Sequence, residues 1–228
     1  MYSEFRSKLI SLADEQYREF TKKSILSDRP YLGVRIPDIR NLVKTIPKEK
    51  LTEFIAQKPE AVEEIIAHGF AIAKLSYEEM LQVFDSHVKT FDNWCVVDTF
   101  CAALRKTVKK HESDFFGRKV EPLLASTNEY AVRTGLVCLL DFYVQPDYLS
   151  TIFDRIESLK DREEYYIRMA IAWLLAECFI KFPDETLAYM KVSKLNKWAF
   201  NKTICKICES YRVNPDTKKQ IKLLRKAK

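Results

Sequence analysis

The segment FDNWCVVDTF, residues 91–100, sets Trp94 and Asp98 four positions apart among apolar neighbours. Four residues make roughly one helical turn, so both side chains look out on one side. With Val97 at zero on a helical wheel, Trp94 falls roughly 60° and Asp98 roughly 100° away, on the flank of the apolar stripe and not at its centre. A carboxylate in that place has two physical uses. It can stay solvated or pair with a cation, or it can offer fixed negative charge to a positive centre that the neighbouring indole face also favours. Arg133 is the cation in step with it: it follows Val132 as Asp98 follows Val97, 35 residues on, close to the length of one helical-hairpin repeat. A guanidinium there can hold a phosphate bidentately, or it can pair with Asp98 and fix the register of two repeats. Trp173 lies on a stripe with Tyr166, Met169, Ala170 and Glu177, and spacing alone favours a core residue over a groove residue.

The elements that must position these groups are helices. Helical periodicity predicts them over 2–23, 37–46, 48–56, 60–74, 76–89, 94–109, 112–125, 128–144, 147–157, 162–181, 183–191, 195–211 and 214–227. Pro37 and Pro183 suit a first helical turn, and SYEE at 76–79 is a capping box. Only four glycines occur in 228 residues, far below the usual ~7%, and tight hairpin turns need more. Short connections between helices of one to five turns favour antiparallel neighbours. The expectation is an all-α chain, an α-solenoid of HEAT-like antiparallel hairpins, forming a single domain over 1–228. In such a stack, flank residues can share one concave surface, which would gather Trp94, Asp98, Arg133 and Trp173.

Composition excludes several classes. Apolar residues make up 47% and charged residues 31%, enough for a sizeable core. The six cysteines fall mostly inside apolar helical patterns, where a thiol packs as a small hydrophobe; this implies a reducing, cytoplasmic setting. No run of ~18 apolar residues offers a membrane span, and the opening MYSEFRSKLI has no charged-then-apolar leader. CKIC at 205–208 falls mid-helix and the three histidines are widely spaced, so no metal site is expected. Phosphate-binding glycine loops and nucleophile elbows are missing. The net charge of +6 resides in the tail KKQIKLLRKAK, whose six basic residues meet no acid, leaving 32 basic and 32 acidic residues elsewhere. Overall charge is therefore weak evidence for nucleic acid, and one basic face would have to supply it.

The motifs NWCVVD (93–98), YAVRTGLVCLL (130–140) and YYIRMAIAWLLAE (165–177), after YLGVRIPDIRNLVK (31–44), resemble the AlkD-like DNA alkylation repair glycosylases, built of HEAT-like repeats. The likeness spans most of the chain, and the ending WAFNKTICKICESYRVNPDTKKQIKLLRK resembles a compact branch of that family. The resemblance implies a lesion site lined by Trp94, Asp98, Arg133 and Trp173, with Asp98, Trp94 and Trp173 catalytic and Arg133 binding DNA. It implies a monomeric, monofunctional DNA glycosylase that removes cationic N3- or N7-alkylated purines from double-stranded DNA without metal or cofactor. Asn93 and Cys95 stand where the family often has Trp and Asp, and Ala176 where it often has Arg. Two alternatives stay open beside base removal: a non-catalytic module that binds DNA, and a HEAT-repeat scaffold for protein partners.

Overall fold

In the computed structural model, which describes residues 1–226, every regular element is a helix. Met1–His111 and Glu112–Lys228 form two compact units. The first contains α1 (Tyr2–Ser11), α2 (Glu15–Lys22), α3 (Ile36–Lys44), a 3-10 turn (Lys48–Lys50) running into α4 (Leu51–Ile55), α5 (Val62–Ile72), α6 (Tyr77–Val88) and α7 (Trp94–Val108). The second contains α8 (Glu112–Phe115), a π-helical turn (Phe116–Val120), α9 (Glu121–Leu124), α10 (Glu129–Phe142), α11 (Pro146–Ser158), α12 (Tyr165–Lys181), α13 (Pro183–Val192), α14 (Lys197–Glu209) and α15 (Pro215–Lys222). Within each unit alternate helices pack side by side, α3 on α5 on α7 and α10 on α12 on α14, while the helices between them close the hairpins. The fold class is the all-α solenoid type that the periodicity predicts.

Departures from the predicted boundaries have local causes. The helix expected over 2–23 is two helices, because Asp14 leaves helical geometry and caps α2 by accepting from the Tyr17 N–H at 2.9 Å. Aspartate at an N-cap satisfies a donor that would otherwise be orphaned. The helix expected from 162 starts at Tyr165 because Arg162 is engaged elsewhere, donating to the carbonyls of Ser126 (3.0 Å) and Thr127 (3.2 Å). Residues 112–125 form a helix interrupted by the π turn, with Pro122 in the first turn of α9. The helix predicted over 214–227 ends at Lys222, and residue 227 lies outside the described residues. The capping box at Ser76 and Glu79 forms, and Pro37 and Pro183 open α3 and α13.

α5 is buried along its whole length, two acids and a histidine included. Burying charge is costly unless every lone pair finds a donor. Glu63 meets this by accepting from the backbone N–H groups of Leu32 (3.1 Å), Gly33 (2.8 Å) and Val34 (3.2 Å). The turn it organises places Gly33 at φ +89, where a Cβ would sit 2.4 Å from the Asp14 carbonyl oxygen; only glycine fits. Glu64 accepts from the Ala61 N–H (2.8 Å) and faces Arg6 Nε (2.9 Å). His68 and His87 sit in an aromatic cluster with Phe54 and Phe100, ring centroids 5.1 and 4.7 Å away respectively. Their Nε2 atoms meet no hydrogen-bond partner, and burial lowers the pKa of His68 to about 4 and of His87 to about 3. The second unit is closed by an apolar cluster that includes Ala176, Phe179, Met190, Phe200, Ile204 and Ile207.

Candidate functional site

The start of α7 is fixed from several sides. Asn93 is fully buried and caps the helix by accepting from the Val96 N–H at 3.1 Å, while its amide donates to Asp92 at 2.8 Å. Asp92 also accepts from the Ser27 hydroxyl (2.7 Å) and Arg29 (3.0 Å), and Arg29 donates to the Thr90 carbonyl at 3.1 Å. Residues 24–29 are thereby strapped to the α7 N-terminus. The indole N–H of Trp94 completes the strap by donating to the Ser24 carbonyl at 3.1 Å. Trp94 remains partly exposed, and Asp98, one turn later, is likewise only partly buried. The sequence expectation of a flank pair is met: Val97 between them is completely buried.

Asn93 and Cys95 serve the fold. Asn93 supplies the N-cap, and Cys95 turns inward, where burial pushes its thiol up to about 11. A thiol held that far above neutrality is not a nucleophile at physiological pH.

Arg133 and Trp173 belong to the second unit, on the adjacent helices α10 and α12. Arg133 is buried, with 5% of its surface exposed. Its Nη1 donates to the Tyr166 carbonyl at 3.1 Å, and the guanidinium lies 5.9 Å from the centroid of the Tyr166 ring. Tyr166 is fixed in turn: its N–H donates to Glu129 at 2.7 Å and its ring lies 5.6 Å from that of Tyr130. Trp173, seven residues after Tyr166 and so on the same helix face, is partly exposed and not part of the buried core. Spacing favoured the core for Trp173, and the structure places it at the margin. Ala176 is 2% exposed within the apolar cluster, so that face of α12 points inward. Within the units the structure brings Trp94 together with Asp98, and Arg133 together with the face that carries Trp173.

Sequence reasoning did not single out Glu129 or Tyr130, and placed Tyr166 only on the stripe of Trp173; the structure shows Tyr166 holding Arg133, with Glu129 and Tyr130 against Tyr166. The signal was present in the paired tyrosines that open YYIRMAIAWLLAE, since adjacent helix positions point about 100° apart and cannot both sit at the centre of one buried face. The six cysteines are free thiols, and among the described residues no group of three His, Cys, Asp or Glu side chains is placed to hold a metal ion. No described helix is long and apolar enough to cross a membrane.

Comparison with known proteins agrees with this arrangement of helices. A family model described as DNA alkylation repair enzyme matches residues 5–207. A structure described as a predicted DNA alkylation repair enzyme from Enterococcus faecalis superposes with a TM-score of 0.68 at 20% identity, covering 87% of this chain and 98% of the other. AlkD2 from Streptococcus mutans superposes at 0.59 with 20% identity, covering 86% and 97%. The smu.31 protein of Streptococcus mutans UA159 does so at 0.55 with 20% identity, covering 89% and 93%. No match is found among curated proteins.

Proposed function

The chain belongs to the DNA alkylation repair enzyme family, and we propose that it acts on double-stranded DNA as a monofunctional glycosylase that releases cationic N3- or N7-alkylated purines. The observation that supports this most is the pairing of Trp94 and Asp98, one turn apart, both partly exposed, with the indole pinned to the Ser24 carbonyl. An alkylated purine already carries positive charge and leaves readily as a neutral base. Its departure with the bonding electrons gives the sugar oxocarbenium character. Fixed negative charge from Asp98 stabilises that sugar more in the transition state than in the ground state. The same carboxylate positions a water, which adds to C1′ and loses its proton. The indole face of Trp94 packs on the deoxyribose and favours the developing charge, and the Trp173 indole has the same capacity.

Arg133 supplies positive charge toward a flanking phosphate from a position only 5% exposed. The Tyr166 carbonyl holds its guanidinium, so its contribution is a fixed positive field at the surface and not a side chain reaching out of it. The reaction asks for no metal or cofactor, and the protein acts as a cytoplasmic monomer.

Incubation with methylated duplex DNA, with released bases measured by mass spectrometry, tests the proposal. The parent should release alkylpurines, and Asp98→Asn should release them ~10²-fold more slowly while keeping its affinity for DNA. Equal release by a folded Asp98→Asn removes the carboxylate from the mechanism. A second reading is supported by the structural employment of Asn93 and Cys95: duplex binding without chemistry. It predicts no release by the parent, together with an affinity that falls steeply as salt rises.

A further inference from the structure

An open recess of about 510 Å³ lies against α14, lined by Lys197, Trp198, Asn201, Lys202, Cys205 and Arg225. Its volume falls within the range of small-ligand sites, ~300–1,000 Å³. Residues 197, 198, 201, 202 and 205 follow the i, i+3, i+4 spacing that puts them on one face of the helix. The far wall is built by the segment after α15. Asn201 accepts from the Lys226 N–H and donates to the Lys226 carbonyl, both at 3.0 Å, and Lys226 Nζ donates to the Leu195 carbonyl at 2.9 Å. These bonds bring Arg225 beside α14, where it donates to Cys205 Sγ at 3.3 Å.

Three cations and an indole thus meet in one place, and among the described residues no carboxylate lines it. Among the described residues Lys197 and Lys202 form no ion pair. Arg168 adds positive charge behind the aromatic wall: its guanidinium lies 4.8 Å from the Trp198 ring centroid, and its buried Nε meets no acceptor. Tyr165 buttresses the indole edge, ring centroids 5.7 Å apart. A structural cluster of cations would be expected to include its neutralising acids, and among the described residues this one has none. The combination of a phosphate-sized positive field with a flat aromatic wall is how proteins take hold of unpaired nucleotides.

We propose that this recess is a second nucleic-acid contact that seats one unpaired nucleotide, with its base against Trp198 and its phosphate among Lys197, Lys202 and Arg225. The proposal goes beyond base removal and stands whether or not the chain releases alkylpurines.

Calorimetric titration of the full chain with deoxyadenosine monophosphate, a single-stranded deoxyadenosine tetranucleotide and inorganic phosphate provides the test. Both nucleotide ligands should bind more tightly than inorganic phosphate, and raised salt should weaken them. A tetranucleotide that binds tighter than the mononucleotide assigns the site to a strand; equal affinity assigns it to the free nucleotide. Lys197→Glu combined with Lys202→Glu should weaken both nucleotide ligands at least tenfold, and Trp198→Leu should weaken them while leaving inorganic phosphate unaffected. Because Trp198→Leu removes packing as well as a stacking surface, the double charge reversal at the exposed Lys197 and the partly exposed Lys202 gives the decisive readout, with its fold checked by circular dichroism. The proposal is overturned if neither nucleotide saturates, if inorganic phosphate binds as tightly, or if the charge reversal binds like the parent.

Discussion

α5 and α12 occupy equivalent places, each the helix on which its unit packs, yet their surfaces are put to opposite use. α5 is enclosed all round and carries Glu63, Glu64 and His68 into the interior. Its two carboxylates are served by the chain itself, Glu63 at a backbone turn and Glu64 at a helix start, while His68 Nε2 meets no partner. α12 is longer and buries an apolar majority, but leaves Tyr166, Arg168, Met169, Trp173 and Glu177 partly exposed. Charge inside α5 is satisfied within the core, whereas charge and aromatics along the margin of α12 meet neighbouring elements at the surface: Arg168 lies over Trp198, Glu177 pairs with Arg212, and Tyr166 holds Arg133. Type of residue alone would not have separated the two helices; the location of the hydrogen-bond partners does.

The largest effect that would break this contrast is at Glu63. Glu63→Ala leaves the N–H groups of Leu32, Gly33 and Val34 buried without an acceptor, and the expected loss is about 3–5 kcal/mol, measured by urea denaturation. A loss below ~1 kcal/mol would show that α5 does not order the 31–34 turn.

Ala176→Arg comes next, since position 176 faces the apolar cluster of the second unit. An overpacked and charged interior should cost about 3 kcal/mol. A tolerated arginine would place that side of α12 at the surface.

Acid should then act on the first unit through its histidines. The folded-state pKa values of His68 and His87, about 4 and about 3, lie below the unfolded value of ~6.5. The unfolded chain therefore binds more protons, so stability is fully present above pH ~6.5 and is lost as pH falls toward 4. Thermal melts should drop by about 5 °C across that window, and His68→Phe should flatten the acid limb.

The smallest effect belongs to Trp173→Phe, which keeps most of the packing at a half-exposed position. Stability should change by less than ~1 kcal/mol, while base release from methylated duplex falls. A large loss of stability with unchanged release would return Trp173 to the core, where spacing first put it.

Legibility in the sequence followed the physics of each signal. The 3.6-residue apolar period made α6, α7 and α10 visible within two residues, because their stripes and caps are local. The break at Asp14 was missed because the apolar period runs through it and its capping role depends on Gly33, which arrives from 19 residues away to accept the Asp14 N–H. Glu63 and Glu64 were equally silent: acids inside a predicted helix look solvated until the distant donors that bury them are known. The flank position of Asp98 was readable from the wheel, whereas the burial of Arg133 was not, since it depends on the Tyr166 carbonyl of another helix.

The π turn at Phe116–Val120 has a consequence for how this chain can change length. Elsewhere in a helix, adding or removing one residue rotates everything beyond it by about 100° and turns core positions to the surface. A wide turn already holds one residue more than a regular helix needs, and Gly117 within it has open space around it. Loss of a single residue there would tighten the turn to an ordinary one and leave α8 and α9 facing as they do. The segment is thus a slip joint in the second unit, the place where removal of one residue leaves the packed faces on either side in step.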